Sequence, residues 1–446
     1  MFSLKNNRSA RIFVIIILII IIIPSSILAL SYLPSLIRFY DEISQAPYIY
    51  QSDDNDLKIE LFADGLAQPT SMTFIDENTI LVLEKDTGMV RIINNGKLEK
   101  NPVLSVRVDP KAERGLLGID ILKRDFGQTE IDDYAFIYLT EETNRNTEGD
   151  SARNRVYRYN WNGSDLFNPV LLLDLPGVPG PYHNGGKVKI GPDEQLYVVI
   201  GDLNSPSTIL QNHVPDSDAA PNNSSVIIRI NPLNGNPTSS NPFKNQSRSD
   251  IINDSNLDYY YAYGIRNSFG ISFDPITGNL WDTENGEDQF DETNLVKPGF
   301  NSGWYKIMGP LSRNKNFSGD ELVMLNNSYY SDPKFSWIKP IGVTDLEFYN
   351  SSKLGDKFSN NIFIGAINTG DLYFFKLDEN RTGIRIDPSI SGHIDLTDSV
   401  ADPQDDLSPA LFAKGFNGRI TDIETGPDGF VYVLTYSDGR IYRIIK

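Results

Sequence analysis

The chain is 446 residues long, carries 40 Lys and Arg against 59 Asp and Glu, and has no cysteine. A formal charge of −19 argues against nucleic acid as a partner, since phosphate contacts need a basic surface. The absence of thiols excludes disulfides, thiolate metal sites and cysteine nucleophiles.

Lys5, Arg8 and Arg11 precede an apolar run from Ile12 to Leu33, dominated by isoleucine. At 1.5 Å per residue that length crosses a hydrocarbon core of roughly 30 Å. Residues 1–40 are therefore expected to form a cytoplasmic basic stub and a transmembrane helix. The competing reading is a cleaved signal peptide, whose apolar core is usually shorter. The leading basic residues keep the amino terminus in the cytoplasm, so the remainder is expected outside, as a single-pass protein of the cell membrane. Asn-x-Ser/Thr sequons, among them Asn162, Asn222 and Asn380, agree with an exported glycoprotein. Residues 41–57 read as a polar linker.

From residue 58 to 446 the chain offers strand pairs separated by Asp, Asn, Gly and Pro turns, with almost no helical periodicity. One unit recurs: an alternating strand, a tight turn, then a strand rich in Leu, Tyr and Val. Lys187-Val188-Lys189-Ile190-Gly191-Pro192-Asp193 leading to Leu196-Tyr197-Val198-Val199 is one copy, and Ile423-Glu424-Thr425-Gly426-Pro427-Asp428-Gly429 leading to Val431-Tyr432-Val433-Leu434 is another. Six such units predict an all-β, six-bladed β-propeller, because radial repetition hides the edges of a long antiparallel chain. A β-sandwich pair or a β-helix is the alternative.

His183 stands in Pro181-Tyr182-His183-Asn184-Gly185-Gly186-Lys187, one of only three histidines. A lone imidazole beside a glycine pair suits a general base that a ligand approaches closely; a structural histidine in a turn is the competing reading. Asp202 lies at the other end of the same predicted hairpin. Two strands of equal length return the chain to its start, so this carboxylate can bond the ring and fix its tautomer. Further on, Arg266 offers a rigid charged fork and Asn267 a neutral donor. The loop from Glu284 to Glu292 gathers Glu284, Glu287, Asp288, Asp291 and Glu292 around Gly286, hard oxygens of the kind calcium prefers. An acidic surface loop would read the same way.

Taken together, Glu113-Arg114-Gly115-Leu116-Leu117-Gly118, His183-Asn184-Gly185-Gly186, Gly201-Asp202, Tyr263-Gly264-Ile265-Arg266-Asn267, Asp291-Glu292-Thr293-Asn294-Leu295, Asn301-Ser302-Gly303-Trp304 and Gly418-Arg419-Ile420-Thr421-Asp422 resemble the soluble glucose/sorbosone and aldose sugar dehydrogenases that depend on pyrroloquinoline quinone (PQQ). The resemblance covers most of the chain beyond Ile59. It implies a six-bladed propeller in which His183 takes the proton from the C1 hydroxyl of an aldose while hydride passes to PQQ, with Asp202 orienting the ring. It implies that Arg266 and Asn267 contact PQQ near its reacting carbonyl and that Arg419 pairs with a cofactor carboxylate. Glu113, Asn368 and Thr369 fall at further cofactor positions. One Ca²⁺ would bridge PQQ to the carbonyls of Gly286 and Glu287, and a second would use Glu292, beside Asp291, and the neighbourhood of Ser302.

The chain departs from that pattern at four places. Asn368 stands where a PQQ-binding lysine is expected, Thr421 where a second arginine is, Glu113 where a glutamine is, and Glu287 where a proline is. Losing two cationic contacts to a tricarboxylate costs on the order of several kcal/mol unless something compensates; Lys187 and Arg114 are the nearby candidates. The expected partners are an aldose, an electron acceptor the sequence does not identify, and the membrane. Two other functions are open at this stage: a non-catalytic, calcium-binding propeller for glycans or proteins, and a metal-dependent lactone hydrolase.

Overall fold

The computed structural model describes residues 46–50, 56–123, 133–142, 151–205, 221–244, 255–315, 317, 319–386, 399–403, 405 and 407–446. The apolar run at 12–33 lies outside them, and no helix among the described residues is long and apolar enough to cross a membrane. Residues 47–446 form one compact unit. Its regular elements are strands and short 3-10 turns, as the density of β-branched and aromatic residues between turn formers dictates.

Among the described residues the strands build six sheets, antiparallel apart from short additions at the outer edges. The innermost strands of the six are Pro69–Phe74, Leu116–Leu122, Val188–Ile190, Ser268–Phe273, Val343–Phe348 and Ile420–Thr425. Each packs beside the next, and the last packs beside the first. The result is an all-β, propeller-like ring. Its closing sheet draws on both ends of this unit: Lys58–Ala63 pairs with Arg440–Ile445. Tyr48–Ile49, inside the stretch read as linker, adds to the edge of Leu411–Lys414. Large apolar and aromatic side chains fill the spaces between neighbouring sheets, so every sheet buries both faces.

The innermost strands leave little room between them, and a strand sends every second side chain the same way. The chain fills this space with charge. Lys187, Asp345 and Asp422 form one layer, with the Lys187 ammonium 2.9 Å from Asp345 and 2.5 Å from Asp422. Two residues further along the same strands, Lys189 meets Glu424 at 3.0 Å, and Glu347 accepts from the Thr425 N–H at 3.1 Å. Asp422 also accepts from the Met72 N–H at 2.5 Å, tying the closing sheet to its neighbour. Burial alone would favour uncharged lysine, yet Asp345 and Asp422 raise the Lys187 pKa above its ordinary value; Lys187 in turn holds Asp422 low despite burial, while burial pushes Asp345 up. Breaking a buried pair leaves a naked charge. Lys187→Met is therefore expected to cost about 3–5 kcal/mol, read as a lower midpoint in urea unfolding.

Candidate active site

The loop that precedes Val188–Ile190 carries His183 with φ 58, a left-handed backbone that costs energy for a residue with a Cβ. Three contacts fix it. Its N–H donates to Glu113 Oε2 at 2.7 Å, its carbonyl accepts from the Leu203 N–H at 3.3 Å, and its ring Nδ1 lies 2.6 Å from Asp202 Oδ1. The hairpin thus returns this carboxylate to the imidazole. Asp202 is buried and also accepts from the Asn204 N–H at 2.7 Å and from the Trp304 indole at 2.8 Å. A carboxylate this close to Nδ1 pairs with the Nδ1–H tautomer of the ring, which leaves Nε2 as the nitrogen open to a ligand.

Arg266 and Asn267 come to the same place from the start of the next sheet. The Asp202 N–H donates to the Arg266 carbonyl at 2.9 Å, and the Gly185 N–H donates to Asn267 Oδ1 at 3.2 Å. The Arg266 guanidinium lies over the Trp304 ring, 5.2 Å from its centroid, and donates to the carbonyls of Asn285 and Gly286 at 2.9 Å each. Trp304 therefore touches both halves, through Asp202 and through Arg266. Its motif was legible in the sequence, but no local spacing ties an indole to an aspartate 102 residues earlier.

Beside this cluster opens a well of about 240 Å³. Glu113 and Gly185 reach its wall, Lys187 is also part of the lining, and Leu117, Phe269, Ile367 and Tyr436 supply apolar surface. Thr344 and Thr421 supply hydroxyls. Walls of this kind suit a flat ring held by a few polar contacts.

A family model described as glucose/sorbosone dehydrogenase matches residues 66–443. The chain belongs to that family. It is an oxidoreductase acting on the CH–OH groups of sugars. It is 25% identical over 400 residues to aldose sugar dehydrogenase YliI of Escherichia coli, covering 87% of this chain and 92% of that one. It is 28% identical over 460 residues to quinoprotein glucose dehydrogenase B of Acinetobacter calcoaceticus, covering 88% of each. The fold matches the PQQ-bound aldose sugar dehydrogenase of Streptomyces coelicolor with a TM-score of 0.61 at 22% identity, over 88% of this chain and 99% of that one.

Of the residues expected in the dehydrogenase site, Glu113 and Lys187 line the well, whereas His183, Asp202, Arg266 and Asn267 are not among its lining residues. Lys187 lines the well, but as half of an ion pair with two aspartates and not as a free cation. Arg114 is fully buried, pairing with Asp109 at 2.8 Å and with the Gly177 carbonyl at 2.5 Å. Neither compensates for the missing lysine and arginine. Asn368, Thr369 and Arg419 are exposed and are not among the lining residues. Lys85, absent from the sequence reading, lines the well with its ammonium held by the Ala112 and Arg114 carbonyls at 2.9 and 3.0 Å.

The calcium expectation fares worse. The Gly286 carbonyl is taken by Arg266, and Glu287 is exposed. Asp291 spends its oxygens on the N–H groups of Gly286, Ile341, Gly342 and Val343. Ser302 donates its hydroxyl to Glu284, and Glu292 accepts from the Gly309 N–H. Among the described residues no set of three or more histidine, aspartate and glutamate side chains gathers into a metal-holding group. Backbone N–H groups claim Asp291, while Ser302, Glu284 and Glu292 share one hydrogen-bond network through Asn294.

What remains is excess buried negative charge. Glu284 sits directly across from Glu292, and Asp282 across from Asn294, in one hairpin. Burial, aided by mutual repulsion, pushes Asp282 and Glu292 up, and burial raises Glu284 to about 7. A carboxyl that holds its proton more tightly when folded stabilises the fold below its unfolded value, 4.5 for Glu284, and loses that contribution as pH rises through about 7. In chelator, stability from urea unfolding is expected to fall between pH 5 and pH 8 by on the order of 3 kcal/mol from Glu284 alone. Asp282→Asn should flatten that fall.

Proposed function

We propose that the chain oxidises the C1 hydroxyl of an aldose to the lactone, with a PQQ-type quinone seated in the well beside His183 and Arg266. The observation that supports it most is the chain of hydrogen bonds from Glu113 through His183 and Asp202 to the Trp304 indole, with the Arg266 guanidinium lying over that same indole ring. The lining fits a flat ring system, and Arg266 Nε has no hydrogen-bond partner among the described residues. Arg266, Asn267 and Thr421 would hold such a ring, and Arg419, two residues before Thr421, would reach a carboxylate at the rim. When bound, a quinone of this class supplies a two-electron hydride acceptor.

The protein's own part is proton handling and electrostatics. His183 Nε2 accepts the hydroxyl proton as the C1 hydride departs. Asp202 stabilises the imidazolium so formed and keeps the ring aimed. Arg266 sets fixed positive charge at the wall where negative charge grows. No step is routed through calcium. We further propose that the sheets act as six blades with this well on their axis, and that the run at 12–33 anchors the ring on the outer face of the cell membrane.

Reconstitution of the ectodomain with PQQ, followed by dye reduction with a panel of aldoses, tests the reading. Sugar-dependent reduction is expected. Failure to bind PQQ at any concentration would overturn the choice of cofactor.

A further inference from the structure

Glu113 reaches across 70 residues of sequence to a backbone N–H, and that N–H belongs to the proposed base. The contact is 2.7 Å long, and the same oxygen lies 3.4 Å from the Asn267 amide. The carboxyl faces the well. A backbone hydrogen bond to an ionised acceptor is about twice as strong as a neutral one, and here it holds a residue whose φ of 58 is unfavourable without support. A second consequence follows from charge. An ionised carboxylate held this close to His183 attracts the imidazolium in a medium that screens poorly.

We propose that Glu113 is a positioning residue for His183, clamping the backbone of the base while its negative charge stabilises the protonated ring. The site then brackets one imidazole between two carboxylates, Asp202 at the ring and Glu113 at the backbone. The expected family glutamine could supply the clamp but not the charge. This inference rests on His183 being the base. The other charged groups facing the pair are Arg266, which opposes Glu113, and Glu284, which faces Asp202; the ammonium groups of Lys85 and Lys187 share the well. Burial raises the Glu113 pKa above the ordinary value, and His183 and Arg266 oppose that rise.

The apo protein suffices for the first test. With three histidines in the chain, the ring protons of His183 can be followed individually by NMR. Glu113→Gln keeps an oxygen acceptor and removes the charge; the His183 titration midpoint is expected to fall by roughly one unit. In the wild type, the His183 backbone amide shift should itself titrate with the Glu113 carboxyl, which needs no variant to fold. In the reconstituted enzyme the acid limb of the kcat/KM profile should move to lower pH by the same amount in Glu113→Gln. Glu113→Ala should lose about ten-fold more in kcat as the clamp goes too. An amide shift that ignores pH, or a His183 midpoint unmoved in a folded Glu113→Gln protein, overturns the proposal. Absence of dehydrogenase activity with the NMR shifts present would instead count against the proposed reaction alone.

Discussion

His183→Ala is expected to slow aldose oxidation by about 10²–10⁴-fold while leaving the protein folded. The imidazole is the basic group that Asp202 holds by its inner nitrogen, 2.6 Å away, with its outer nitrogen free for a substrate hydroxyl. Its other bonds run through backbone atoms, from the N–H to Glu113 and from Leu203 to the carbonyl, and alanine keeps both. The loss should therefore appear in kcat far more than in KM. Asp202→Asn tests the same chain from the other side. The amide fits in place, but it can donate as well as accept, so the tautomer is no longer dictated and turnover should again fall steeply. Steady-state kinetics with thermal melts on the same samples separate lost chemistry from lost fold.

Arg266→Ala is expected to cost about 10²–10³-fold in kcat and to weaken quinone binding as well. Its guanidinium is fixed from two directions, over the Trp304 ring at 5.2 Å and against the carbonyls of Asn285 and Gly286. Fixed charge needs no reorganisation when negative charge develops, which is what makes it effective. Arg266→Lys keeps the charge but loses the planar stacking and the fork, so it should recover affinity better than turnover. A quinone titration by tryptophan fluorescence and single-turnover reduction distinguish the two effects.

Much of this arrangement was legible in the chain. The repeat of strand, turn and apolar strand gave an all-β ring, because period-two alternation bounded by Gly, Pro and Asp has few other solutions. The His183–Asp202 pair followed from hairpin arithmetic alone. The other contacts of the site depend on three-dimensional closure. Trp304 meets Asp202 only because neighbouring sheets lie side by side, and Glu113 meets the His183 N–H only because that residue adopts a left-handed turn. Lys187 looked like a free cation in sequence, since Asp345 and Asp422 lie far along the chain and approach it only at the ring's axis. The acidic loop does not gather three metal-holding side chains among the described residues, for a related reason: composition counts carboxylates but not the backbone N–H groups that bond Asp291 and Glu292. Arg419 and Asn368 matched by position in a motif, which fixes neighbours in sequence and not exposure.

The proposed function requires that His183 remove the proton from a sugar C1 hydroxyl while the hydride on that carbon leaves. Reconstituted protein supplied with an aldose deuterated at C1 measures this directly. Turnover slowed by the label, with a lactone that has lost it, is the predicted result. Turnover that ignores the label, or a product that retains deuterium at C1, would contradict it.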